Sequence, residues 1–370
     1  MKKALVLFIG CLLITACGQK TDKKTSEESE PGPKEWLTFN AEDNEAKHVV
    51  LISGDEEYRS EEALPQLAKI LSTRHGFRCT VLFAQDSAAP GIINANYVKN
   101  IPGLDALNTA DMMVIFTRFR ALPDEQMQLI DNYLKSGRPV IGIRTATHAF
   151  NFDSESKSNF KHYSNGYAGD KKEWADGFGR LVLGEKWISH HGHHKHQSTR
   201  GIVAETGKNH PITHGIKDGD IWGPTDVYGV RLPLPGDSQP IILGEVIERE
   251  GAFNEEDLFY GMRPTDSKAA TENDKGVKVN DILMPIAWTK SYQIPDGKKG
   301  KVFTSTIGSA SDMLNEGTRR LLVNSVFWSL NMPVPEKADV ELVGDFNPTA
   351  YEFRDDKYWL EKQLKVEDFD

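Results

Sequence analysis

His48-Val49-Val50-Leu51-Ile52-Ser53-Gly54 is a short apolar run closed by a glycine. Its apolar residues do not alternate with polar ones, so it predicts a strand covered on both faces. Leu64, Leu67, Ala68 and Leu71 follow at helical spacing and stop at His75-Gly76, which predicts a helix with a glycine end. Further strands are predicted at Phe77 to Phe83, Asp111 to Phe116 and Pro139 to Ile143. Between the last two, Pro123 opens a helix with Met127, Ile130 and Leu134 on one face. Apolar strands separated by amphipathic helices predict an α/β fold with a mostly parallel sheet flanked by helices.

Beyond Phe150 the pattern loosens into polar stretches around residues 153–176 and 254–281, long enough to shape a site. Strand candidates lie at Pro240 to Val246, Met284 to Thr289 and Lys301 to Ile307. A helix carrying Leu321, Leu322, Val326, Phe327 and Leu330 precedes Pro333, and residues 333–370 read as a charged tail lying across the surface on a few apolar anchors such as Val343 and Phe346.

The 370 residues carry 44 Lys and Arg against 54 Asp and Glu, a net charge of −10. With no basic run beyond the first three residues, a phosphate-neutralising surface is excluded, and nucleic acid drops out as a partner. The chain opens with Met1-Lys2-Lys3, an apolar stretch from Ala4 to Ile14, and Thr15-Ala16-Cys17. That stretch is too short to span a bilayer as a helix and has the order of a signal peptide. It resembles a bacterial lipoprotein signal, which implies removal of residues 1–16, a lipid on Cys17 that holds the chain to a membrane, and a place in the cell envelope. Residues 17–46 are expected to be the lipidated cysteine and a flexible tether, since Gly18 to Glu35 contain no aliphatic residue. Cys79 then remains the only thiol, read as buried and inert.

Parallel sheets bind ligands at the carboxyl ends of their strands, so the segment leaving Ile143 is the first place to look for chemistry. It reads Arg144-Thr145-Ala146-Thr147-His148. The run Arg138 to Phe150 resembles the nucleophile turn of class I glutamine amidotransferase-like folds, with Arg144 where that turn places a cysteine. A guanidinium cannot serve as nucleophile, so glutaminase activity is not expected. Arg144 can instead hold an anionic or carbonyl group, or pair a core carboxylate. Asp55, Glu56 and Glu57 close the first strand, either to bind sugar hydroxyls or to begin a solvated helix. No G-x-G-x-x-G follows an early strand, which argues against self-contained NAD binding.

Five histidines crowd His190-His191-Gly192-His193-His194-Lys195-His196. If the stretch is extended, His194 and His196 share one face and His191 and His193 the other. An H-x-H pair so arranged can chelate a divalent metal, with His148, Asp226 or a water as a further ligand. The other reading is a metal-free loop whose imidazoles exchange protons and hydrogen bonds.

Several motifs in order resemble the ThuA-like (trehalose utilisation) family over about residues 47–332. They are Leu51-Ile52-Ser53-Gly54, Gly142 to His148, Phe178-Gly179-Arg180-Leu181-Val182-Leu183-Gly184 and Gly192-His193-His194. Asn209-His210-Pro211-Ile212-Thr213-His214-Gly215, Pro224-Thr225-Asp226-Val227-Tyr228 and Gly300 to Ser309 continue the series. The resemblance implies a flavodoxin-like, amidotransferase-type sheet and a role in handling disaccharides or their 3-keto derivatives. Matching residues expected at the site are Arg144, His148, His193, His194 and Asp226. The function expected is therefore an exported lipoprotein that binds and transforms a carbohydrate. A non-catalytic carbohydrate-binding lipoprotein is the alternative. Trp174, Trp187, Trp222 and Trp288 are either sugar-stacking platforms or core.

Overall fold

Residues that alternate along His48–Gly54 point into two different cores. In the computed structural model, which describes residues 1, 32–43 and 45–370, Val49 and Leu51 join one buried cluster, and Val50 and Ile52 the other. Both faces of this strand are therefore dry, which is why it reads as apolar throughout. The signal segment, Cys11, Cys17 and residues 18–31 of the tether lie outside the described residues.

The strands are β1 (Trp36–Phe39), β2 (His48–Gly54), β3 (Arg78–Phe83), β4 (Met112–Thr117) and β5 (Val140–Ile143). They continue with β6 (Gln197–Val203), β7 (Trp222–Gly223), β8 (Gln239–Glu248), β9 (Met284–Tyr292) and β10 (Gly300–Ser305). The α-helices are α1 (Ser60–His75), α2 (Asp124–Lys135), α3 (Glu316–Ser329) and α4 (Asp356–Lys362). The ten strands among the described residues form one sheet in the order β1-β3-β2-β4-β5-β10-β9-β8-β6-β7.

The expectation of a mostly parallel sheet is corrected. Four pairings, β3–β2, β2–β4, β4–β5 and β5–β10, are parallel. Five, β1–β3, β10–β9, β9–β8, β8–β6 and β6–β7, are antiparallel, so the sheet is mixed. A parallel pairing needs a crossover of a dozen or more residues, usually a helix, and no α-helix lies between β8 and β10. Successive strands there must run back on themselves.

Helices α1 and α3 cover one face of the sheet through residues such as Leu64, Leu71, Leu322 and Val326. Helix α2 covers the other through Met127, Ile130 and Leu134, alongside Val182 and Leu183 from the segment Gly179–Leu183. Gly76, at φ 69°, ends α1 as expected.

Two stretches differ from the sequence reading. Part of the span assigned to the tether is strand β1, in which Trp36 to Phe39 pair with Leu82 to Cys79. The C-terminal segment is seated more deeply than a surface tail: besides Val343 and Phe346, which pack against the α1/α3 core, Tyr351, Trp359 and Val366 are buried in it. Its Val366 N–H donates to Gly91 O at 3.0 Å. No helix among the described residues is long and apolar enough to cross a membrane.

Candidate active site

The carboxyl ends of β2, β4 and β5 deliver Asp55 to Tyr58, Arg118-Phe119 and Arg144 to His148 to one end of the sheet. Asp55 sets the first of these turns. Its Oδ1 accepts from Glu57 N at 2.8 Å and from Tyr58 N, and its Oδ2 accepts from Thr145 Oγ1, tying the β2 turn to the β5 turn. Glu56 is drawn aside onto Arg118 and Arg120. Glu57, only 5% exposed, is left lining a cleft of about 430 Å³. Burial, aided by the negative charge of Asp55, pushes its carboxyl up to about 7.

Arg144 lies beneath that cleft instead of in it. It has φ 47° and no exposed surface. Its Nη1 donates to Asp226 O at 2.9 Å and Thr306 O at 2.6 Å, and its Nη2 donates to Asp226 Oδ1 at 3.2 Å. The guanidinium sits over the rings of Tyr58 and Tyr228, at 4.2 and 4.0 Å. The reading of Arg144 as a group that grips the ligand is corrected: it pairs a core carboxylate.

That carboxylate organises two imidazoles. His190 Nδ1 lies 2.8 Å from Asp226 Oδ2, and His194 Nδ1 lies 3.1 Å from Oδ1. On its other side, His194 Nε2 is 3.3 Å from Glu57 Oε1. Burial alone would raise the Asp226 carboxyl, but the bonds from His190 and His194 and the charge of Arg144 hold it far below the usual carboxylate range. An ionised carboxylate only accepts, so each Nδ1 carries a proton. Burial pulls His194 below its ordinary value, with Asp226 opposing. For His190 the bond and charge of Asp226 outweigh burial and raise it. Burial, aided by the charges of Arg118 and Arg144, holds His148 well below its ordinary value and therefore neutral.

The histidine run is not extended where extension would matter. His196 N and Gln197 N both donate to His193 O, and Lys195 has φ 63°, so residues 193–196 form a turn. His196 is thereby separated from His194: its Nδ1 meets Arg249 at 3.0 Å, and its ring stacks on His193 and Phe253. The proposed metal pair of His194 and His196 is corrected, and His193 falls outside the cleft lining. The groups that converge are His190, His194 and Asp226, each offering one ligand atom within 4.8 Å of the others. A divalent ion held there would sit beside the Arg144 guanidinium, already 3.2 Å from Asp226 Oδ1. Like charges at such spacing oppose one another strongly away from water. Hydrogen bonding accounts for the geometry without that cost.

Of the expected residues, the structure brings His148 and His194 to the cleft, with Asp226 and Arg144 supporting from below. The sequence reading missed His190, whose place in the run held the signal, and undervalued Glu57. It also missed Glu352 and Phe353, which the C-terminal segment adds to the lining. Trp187 lines the cleft, whereas Trp174, Trp222 and Trp288 are buried. Cys79 has no exposed surface and lies near the amino end of β3, away from this edge, with burial raising its thiol far above the usual range.

These features define an α/β protein with a histidine–carboxylate cleft at the carboxyl ends of its parallel strands. No family model matches the chain. No curated protein matches it either. Among solved structures, a protein from Parabacteroides merdae ATCC 43184 described as ThuA-like is similar at 14% identity and a TM-score of 0.43, covering 84% of this chain and 98% of that one. A second, from Bacteroides uniformis ATCC 8492, aligns at 12% identity and a TM-score of 0.38 over 78% of this chain and 94% of its own. The exo-beta-1,4-mannosidase Op5Man5 from Opitutaceae bacterium strain TAV5 aligns at 10% and 0.29, over 81% of this chain and 37% of its own. At such identities and scores these likenesses carry no statement about activity.

Proposed function

We propose that this protein is a carbohydrate-transforming enzyme working by proton transfer, with Glu57 as proton donor and the His194–Asp226 pair as its partner. One observation carries the reading: a single partly exposed imidazole lies between two carboxyls of opposite character, with Asp226 Oδ1 3.1 Å from Nδ1 and Glu57 Oε1 3.3 Å from Nε2. With Nδ1 protonated toward Asp226, neutral His194 turns a bare Nε2 toward the Glu57 carboxyl, 3.3 Å from Oε1. Glu57 faces the cleft and can pass its proton to a ligand oxygen, while His194 takes up or returns one as Asp226 steadies the imidazolium. His148, kept neutral, supplies a wall group that hydrogen-bonds without charge.

The cleft supports a neutral, polyhydroxylated ligand. Its cations are already engaged, Arg118 by Glu56 and Lys195 by Glu352 at 3.7 Å. Trp187, Phe119 and Tyr228 supply apolar wall. The ThuA-like resemblance of the sequence agrees with this. So does the order of the parallel half, β3-β2-β4-β5-β10: numbered by first appearance it is 2-1-3-4-5, the flavodoxin-like order. In this proposal Cys17 carries lipid and places the domain at the cell envelope.

The test is a screen of full-length protein and its Glu57→Gln and His194→Ala variants against disaccharides and 3-keto-disaccharides. Turnover lost in both variants supports the reading. Saturable binding without turnover in the unaltered protein overturns it in favour of a non-catalytic carbohydrate-binding lipoprotein.

A further inference from the structure

We propose that Glu352 and Phe353 form a second subsite, one that holds the non-reacting ring of a disaccharide while the ring to be transformed lies against Glu57 and His194. This deepens the carbohydrate reading and rests on it.

The cleft has two unlike ends. Its floor carries the proton donor Glu57 and the wall group His148, 5% and 3% exposed, with the His194 ring beside them. Its rim carries Phe353, 54% exposed, with Arg118 over the ring at 4.7 Å. A large aromatic side chain left half in water at the mouth of a ligand cleft retains apolar surface that a ligand can cover. An aromatic face with polar groups beside it suits a sugar ring, whose C–H face is apolar and whose edge bears hydroxyls. Glu352 supplies those polar groups, since its carboxylate only accepts and sugar hydroxyls donate.

This rim is held in place from several sides. Arg59 Nη2 donates to Glu352 O at 2.8 Å, and Tyr351 Oη donates to Pro224 O at 3.0 Å. Tyr260 Oη donates to Tyr351 O, and the Tyr351 ring stacks on Tyr58 at 5.3 Å. A platform so fixed loses little conformational freedom on binding. Because the nearby cations are paired, an uncharged disaccharide is favoured over an anionic sugar.

Calorimetric titration of full-length protein with glucose, maltose, cellobiose and trehalose tests the assignment. Phe353→Ala is expected to weaken the best-bound disaccharide by about tenfold, while leaving glucose within about twofold. Phe353→Trp, which keeps the platform, is expected to restore disaccharide affinity. Unchanged disaccharide affinity in Phe353→Ala, or an equal loss for glucose, overturns the subsite and leaves the proton-transfer site standing. Failure of the unaltered protein to bind any of the four sugars overturns the carbohydrate reading and the subsite with it.

Discussion

Arg144 and Asp226 form an ion pair in which neither side chain is exposed to solvent, with Nη2 3.2 Å from Oδ1. The pair lies directly beneath two histidines that share the same carboxylate. A buried pair of this kind is weak evidence for stability but is costly to break, because the surviving charge is left without a partner. Its value here is positional: it fixes where Asp226 sits, and so the tautomer and tilt of both imidazoles.

Arg144→Met is expected to destabilise the protein by about 3–5 kcal/mol, the usual loss when one member of a buried pair is removed. Guanidinium denaturation of the variant measures it. A loss below about 1 kcal/mol, the size of an exposed pair, would show that Asp226 is not held by Arg144.

Glu57 predicts a pH signature. Its carboxyl titrates near 7 folded against 4.5 as a free side chain, so between these values the folded chain holds a proton that the unfolded chain has released. Stability from this group is complete below pH 4.5 and is lost as pH rises through 7. Glu57→Gln is therefore expected to raise the melting temperature relative to the unaltered protein at pH 8 and to leave it nearly unchanged at pH 4.5. The shift corresponds to roughly 3 kcal/mol as an upper figure. Activity should fall as pH rises through about 7, as the donor loses its proton. An identical pH dependence of melting in both proteins would place the titrating group elsewhere.

His194 and His196, two residues apart, are expected to behave differently. His194→Ala should abolish turnover, and His196→Ala, which disturbs only the contacts with Arg249, His193 and Phe253, should keep most of it. Elemental analysis of untagged protein is expected to find less than one equivalent of divalent metal, with activity retained after chelation. One bound equivalent lost on His190→Ala would establish the cluster as a metal centre.

Lipid on Cys17 is expected from the sequence alone. Mass spectrometry of the mature chain isolated from membranes should find an acylated N-terminal cysteine. An unmodified terminus, or membrane association that survives Cys17→Ser, would refute it.

Much of the fold was legible because it depends on local pattern. The runs at Val49, Val114 and Val140 were apolar on both faces, and Gly76 marked the end of α1, so strands and helices were found near their observed limits. Strand β6 was missed because Gln197-Ser198-Thr199-Arg200 looks like a loop. It pairs between β8 and β7, and such a strand takes its order from its neighbours rather than from its own side chains. The mixed direction of the sheet had a signal, the lack of a helix between 240 and 307, that the reading did not use.

The sequence by itself determined the element types, the edge of the sheet where chemistry gathers, and the residue types available to it, because periodicity and turn chemistry act over a few neighbouring residues. Which histidine met which carboxylate was decided only in three dimensions. Glu57, His194, Asp226 and Phe353 lie far apart in sequence, and one turn at residues 193–196 sends His194 toward Asp226 and His196 toward Arg249. No local pattern encodes that choice, since it depends on where Arg144 anchors Asp226 and on the C-terminal segment that adds Glu352 and Phe353 to the cleft lining.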